Sequence, residues 1–355
     1  MLTPQLTLEA ALRDVHSESE RYRFLAVANL APALLERIGQ PGPRWRAAAQ
    51  HTEGPAVLDA LRSVLGEDEP APLRGTAAVA LGTLGEPEVL EVTEVWLHTT
   101  DDDEATAYLR ESAMLASTSL ARAALDAQGT AQTPPEPEPE PEPALIVRVR
   151  ERVKRALRAE APDLRYQAAT ALVELAELWD GQIEPTLVEA LDSEEHPDVR
   201  QGLVDAIAYL DPPGPAACEA LEAIVAGEDG HASIGFDAAV TLAAARRKSA
   251  RPRLLESLDV RHQRDRALEA LAALGGGSPA DVERVQQLAR RVWLPSITRV
   301  RAAYALARMV PANEGDNPGL ALLRRLRWHP RPAVREAVRD AFANLEQLGE
   351  TSRES

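Results

Sequence analysis

PDLRYQAATALVEL (Pro162–Leu175) and PDVRQGLVDAIAYL (Pro197–Leu210) share one grammar. Each runs Pro, Asp, an aliphatic residue, Arg, then an Ala/Leu-rich stretch with helical spacing. Arg165 and Arg200 stand 35 residues apart, and the offset continues through Gly235, Arg264, Arg299 and Arg335, with steps of 35, 29, 35 and 36. Seven residues after each mark comes an apolar side chain: Leu172, Ile207, Leu242, Leu271, Leu306 and Phe342. Towards the N-terminus Arg23 with Leu30 and Arg74 with Leu81 obey the rule, while Arg110 is followed by Ser117 and fits less well. A fixed period of this size with helical spacing inside it is the mark of a stacked helical repeat.

Each repeat reads as helix A, a turn and helix B. In 197–210, Val199, Leu203, Ala206, Ile207 and Leu210 form one apolar face. Pro162, Pro197 and Pro332 lie three residues before the reference Arg, where a first helical turn tolerates proline. Asp163 and Asp198 follow, at the end where the helix dipole favours negative charge. Ser296 is expected as an N-cap. The expected pairs are 6–16 with 19–37, 55–65 with 71–84, 87–98 with 103–126, 145–159 with 162–179, 183–191 with 196–210, 214–226 with 232–247, 251–258 with 261–274, 279–292 with 296–310, and 318–328 with 332–347, plus a helix near 44–50.

The 45% hydrophobic and 4% aromatic content leaves Ala, Leu and Val to fill the core, which suits closely packed helices. The single cysteine, Cys218, excludes an internal disulfide framework and a Cys-rich zinc site. No signal-peptide pattern or membrane-length apolar run occurs, so a cytoplasmic protein without membrane contact is expected. Charge is uneven. Residues 1–245 carry 18 Lys+Arg against 43 Asp+Glu, and residues 246–355 carry 21 against 13. Such a chain can attract different partners at its two ends, or another copy of itself head to tail.

The stretch PPEPEPEPEP (Pro134–Pro143) favours extended polyproline II. It predicts an irregular N-terminal array over 1–127, a Pro/Glu-rich linker or loop over 128–144, six repeats over 145–348 and a disordered tail over 349–355.

The Leu/Val-Arg phrase, preceded by Pro-Asp and followed by Ala-Ala-x-Ala-Leu, resembles HEAT repeats, most closely the short HEAT-like repeats also found in phycobilisome lyases. The resemblance covers 162–347 well and 1–126 loosely. It implies an all-α, right-handed α-α superhelix of about nine helical hairpins, and a bacterial, non-catalytic scaffold or adaptor that binds protein partners through its concave face. The alternatives are nucleic-acid binding by the basic C-terminal repeats and a lyase-accessory or other HEAT-like enzyme. The His-Glu dipeptides of HEAT-like deoxyhypusine hydroxylases are absent. A HEAT-like DNA glycosylase would use a basic, aromatic groove, for which Trp293, Tyr304 and Trp328 are the available aromatics. His196, His231 and His262 fall near successive turns, but helices pack about 8–10 Å apart, too far for one metal. No metal or cofactor is expected.

Arg23, Arg74, Arg165, Arg200, Arg264, Arg299 and Arg335 read as a structural ladder at the A–B turns. Arg200 is expected to meet Asp163 or Asp192, and Arg165 to meet Glu160. Positions two, five and nine after the reference Arg point away from the A helices. They are Gln167, Thr170, Glu174, Asp205 and Tyr209 in the middle, and Arg266, Glu269, Arg301, Tyr304, Arg308 and Asp340 towards the end, with Arg339 nearby. This face is the expected binding surface, with its basic end taking an acidic segment. Asp101–Glu104 reads as an acidic helix N-terminus and Cys218 as a small core residue.

Overall fold

Among the described residues, nine consecutive helix pairs form where the repeat places them. A computed structural model describes residues 5–39, 42–101, 103–129, 143–179, 181–210, 212–227, 232–291, 293–310 and 317–354. The pairs are α1 (Leu8–Asp14) with α2 (Glu20–Ile38), α3 (Gly54–Ser63) with α4 (Ala71–Thr83), α5 (Val89–His98) with α6 (Glu104–Gly129), α7 (Pro143–Ala156) with α8 (Pro162–Glu174), and α9 (Ile183–Ser193) with α10 (Pro197–Ala208). Next come α11 (Pro215–Ala226) with α12 (Ala232–Ala244), α13 (Arg251–Ser257) with α14 (Arg264–Leu274), α15 (Pro279–Arg290) with α16 (Ser296–Met309), and α17 (Pro318–Leu326) with α18 (Pro332–Glu354). Among the described residues there is no strand, and no helix is long and apolar enough to cross a membrane.

The helix starts follow the local chemistry. α8, α10 and α18 begin on Pro162, Pro197 and Pro332, and Asp163 and Asp198 lie in first turns. Asp103 caps α6, its Oδ1 accepting the Thr106 N–H at 2.7 Å. Ser296 is the first residue of α16 rather than its cap, and its Oγ pairs with His329 Nε2 at 3.2 Å. The helix expected near 44–50 is a single 3-10 turn, Ala47–Gln50. It belongs to the irregular stretch between Arg23 and Arg74, which covers the end of α4: the Arg44 and Ala47 N–H groups donate to the Thr83 and Leu84 carbonyls, each at 2.9 Å. Those carbonyls have no partner within the helix.

The chain divides into two compact units, Met1–Ala206 and Ile207–Ser355. Most of the Pro/Glu stretch lies outside the described residues; α6 before it packs directly on α7 and α8 after it. The last helix, α18, runs from Pro332 to Glu354.

Within the first unit the B helices α2, α4, α6 and α8 pack in series, and within the second α12, α14, α16 and α18 do the same. The A helices cover the other side of each series. Small residues let neighbouring helices approach closely. A Cβ on Gly82 of α4 would come within 2.3 Å of the Ala116 carbonyl oxygen on α6, and one on Gly319 of α17 within 2.2 Å of the Ala307 nitrogen on α16. Leu172, Ile207, Leu242, Leu271 and Leu306, seven residues after the marks, are all buried. Cys218 is buried too.

Candidate functional site

Four of the seven ladder arginines fold back on their own turns. Arg165 Nη1 donates to the Ala159 and Glu160 carbonyls at 2.9 and 2.7 Å. Arg335 Nη1 reaches His329 O and Pro330 O at 3.0 and 2.9 Å, and Arg264 Nε reaches Leu258 O at 2.6 Å. Arg299 Nε reaches Ala289 O at 3.3 Å. A cation at the end of helix A satisfies carbonyls that lack intrahelical partners and complements the negative end of the helix dipole.

Some rungs also reach forward. Arg23 binds Glu69, Arg110 binds Asp163 at 2.8 Å, and Arg165 binds Glu194 at 2.6 and 2.8 Å. Each acid belongs to the turn region of the next hairpin. Arg165 therefore meets the backbone of Glu160, not its carboxylate. The misfit mark Arg110 is a buried rung of the same ladder. Arg74 instead stacks on Trp96, 5.4 Å from the ring centroid. The bond with Glu194 raises the Arg165 pKa. Burial opposes ionisation of Glu194, but the Arg165 bond and the His196 N–H outweigh it and lower its pKa.

All twelve residues expected on the binding face are exposed or half-buried. The first unit brings Gln167, Thr170 and Glu174 onto α8 and Asp205 onto α10. Tyr166, which sequence reasoning passed over, joins them: its ring lies over Gly202, where a Cβ would come within 2.7 Å of it. Tyr209, in the second unit, is 75% exposed. The basic end of this face is not a row of unpaired cations. Arg266 pairs with Asp237 at 2.7 Å, Arg301 pairs with Asp265 and Glu269 at 2.5 and 2.6 Å, and Arg308 Nε donates to Ala272 O at 3.2 Å. Tyr304 packs against the core around Val300, Leu323 and Val338. Arg339 is exposed.

A different cationic site lies in the first unit, inside the acidic part of the chain. A cavity of about 560 Å³ is lined by the end of α5, by Arg110, by Arg152, Arg155 and Arg158, and by the start of α8. Arg152 is 2% exposed and makes five hydrogen bonds: two to Glu94 at 3.2 and 2.7 Å, and one each to Thr93 Oγ1 at 3.0 Å, Ser117 Oγ at 2.8 Å and Leu90 O at 2.7 Å. Burial lowers the Arg152 pKa although Glu94 opposes that. For Glu94, burial favours the neutral acid, yet the bonds from Arg152 and Arg155 prevail and hold its pKa at about 2. Arg155 and Arg158 are exposed, paired with Glu94 and Glu189.

The second unit has a further surface at its A–B turns. Trp293 and Trp328, one period apart, are 69% and 82% exposed. Arg291 lies over the Trp293 ring at 5.6 Å, and Arg327 over Trp328 at 5.8 Å. The contact between Ser296 and His329 holds these two turns side by side. Among the described residues no three His, Cys, Asp or Glu side chains converge on a metal position. Of the expected histidine row, His231 lies outside the described residues.

No family model matches the chain, and no curated protein does. Solved structures do. The YibA protein of E. coli is 14% identical, with a TM-score of 0.54 over 86% of this chain and 92% of its own. Kap95p, from a structure describing its binding to RanGDP, is 12% identical with a TM-score of 0.53 over 94% of this chain. A mutant Kap121p is 15% identical with a TM-score of 0.52 over 94%. The chain spans about half the length of that Kap95p chain and about a third of that Kap121p chain, which it covers to 52% and 36%. With the nine helix pairs and their B-on-B packing, this likeness places the chain in the all-α superhelical repeat class, with a HEAT-like fold.

Proposed function

We propose that this chain is a cytoplasmic, non-catalytic HEAT-like scaffold whose partners are proteins. One observation carries the reading. The arginine rungs at the A–B turns repeat from hairpin to hairpin, whereas the exposed row on the B helices changes chemistry at each step: Tyr166, Thr170 and Glu174 on α8, then Asp205 on α10. Repeated rungs with a varied outer row give a stack its shape and leave the row free for recognition. Kap95p, which shares the fold, is described as binding RanGDP, and that supports protein partners as a class. Nucleic-acid binding along the same face is less well supported, because Arg301 and Arg308 are already engaged.

The test is affinity capture with the wild type, a Glu174→Lys/Asp205→Lys variant, and a Glu189→Lys/Asp192→Lys variant that changes charge equally on α9. Protein partners lost by the first variant and kept by the second are the expected result. Equal loss from both, or loss from neither, overturns the assignment of the face.

A further inference from the structure

We propose that the turn surface around Trp293 and Trp328 docks the acidic Pro/Glu segment Pro134–Pro143 of a second copy of this chain. The proposal rests on the scaffold reading only in taking a protein segment as ligand. It uses a different surface, so either can fail alone.

The cation supply is local. No acidic residue occurs in the sequence from Arg284 to Ala312, or from Asn317 to Arg335. Arg291, Arg324, Arg325, Arg327 and Arg331 are all exposed, and among the described residues none of these side chains forms an ion pair. Two indoles exposed in adjacent turns, each with a guanidinium over its ring, offer one apolar plate and one cation per hairpin. Proline rings stack on aromatic plates in the usual recognition of polyproline II, and carboxylates pair with guanidinium.

The spacing also fits. Polyproline II advances about 9.3 Å per three-residue turn. In an alternating Pro/Glu sequence, residue i+3 is always of the other type. Two neighbouring columns therefore present one proline beside one glutamate at every turn, the two exchanging columns from each turn to the next. Hairpins packed at about 8–10 Å each meet one proline and one glutamate. The chain itself contains such a segment, with Glu136, Glu138, Glu140 and Glu142 between prolines. Its acidic body and basic end favour a head-to-tail encounter of two copies.

The test uses the full chain and a labelled peptide of residues 131–143, read by fluorescence anisotropy, with self-association followed by sedimentation velocity. The peptide is expected to bind, and Trp328→Ala and Trp293→Ala to weaken it at least tenfold each while the melting temperature stays at the wild-type value. A peptide with its four glutamates changed to glutamine is expected to bind at least tenfold more weakly. Self-association that is lost both in Trp328→Ala and in a chain carrying those four Glu→Gln changes supports the second copy as the source. A chain that stays monomeric at every concentration overturns it. Unchanged peptide binding by folded tryptophan variants overturns the surface, as does a single-stranded oligonucleotide that binds there when the peptide does not.

Discussion

Replacing Arg152 by methionine tests the anchor of the first unit. The methionine keeps much of the apolar stem and removes the guanidinium with its five hydrogen bonds. Breaking a buried ion pair from one side costs about 3–5 kcal/mol. Three features here pull towards the lower end. Glu94 is 37% exposed and keeps Arg155, while the Thr93 and Ser117 hydroxyls keep their own bonds to the Val89 and Ala113 carbonyls. A loss of about 3 kcal/mol is therefore expected. For a unit of this size that is a fall in melting temperature of about 6–12 °C. Differential scanning calorimetry at pH 7 reads it directly. Arg158→Met is the matched control, because Arg158 and Glu189 are 72% and 69% exposed. An exposed pair of this kind contributes under about 1 kcal/mol. If Arg152→Met melts within about 2 °C of the wild type, where about 1 kcal/mol would already show, the buried network is not the anchor described here.

Glu94 also sets an acid response. Its folded pKa lies below its usual 4.5, so its stabilisation is complete above that value and fades as pH falls towards about 2; urea titrations across this window should show a shallower loss in Arg152→Met. Arg165→Ala should cost about 2 kcal/mol, since it leaves a largely buried Glu194 without its cation and two turn carbonyls without a donor, and a urea midpoint unchanged from wild type would contradict that. Gly319→Ala should lower the melting temperature of the second unit by several degrees, because its methyl would meet backbone of α16 that cannot yield as a side chain can; Gly66→Ala, with open space around its Cβ position, serves as the neutral comparison.

The helix pairs were legible because period and apolar spacing are properties of the sequence itself. The exposed row was legible for the same reason, since helical geometry alone sends positions two, five and nine outward. Charge compensation was not read, although its signal was present. With the ladder in register, Asp265 and Glu269 on one B helix stand beside Arg301 on the next, and Asp237 stands beside Arg266. Comparing neighbouring marks, instead of counting charge over a whole segment, would have paired them. Arg152 is different. The run VRVRERVKRALR (Val147–Arg158) looks like an ordinary solvated helix face. Which of its arginines is buried depends on where α5 and α6 place Glu94, Thr93 and Ser117. The role of Tyr166 likewise depends on a missing Cβ at Gly202, 36 residues on.

The direct packing of α6 on α7 has an evolutionary consequence. Because the two helices and the Arg152 network already hold the ends of the Pro/Glu stretch together, its length is close to thermodynamically neutral. Each doubling of a loop's length costs only about 0.6 kcal/mol in closure entropy. Copies of the Pro-Glu dipeptide can therefore accumulate or disappear by replication slippage with little effect on folding, and the length of the acidic segment can change independently of the scaffold that carries it.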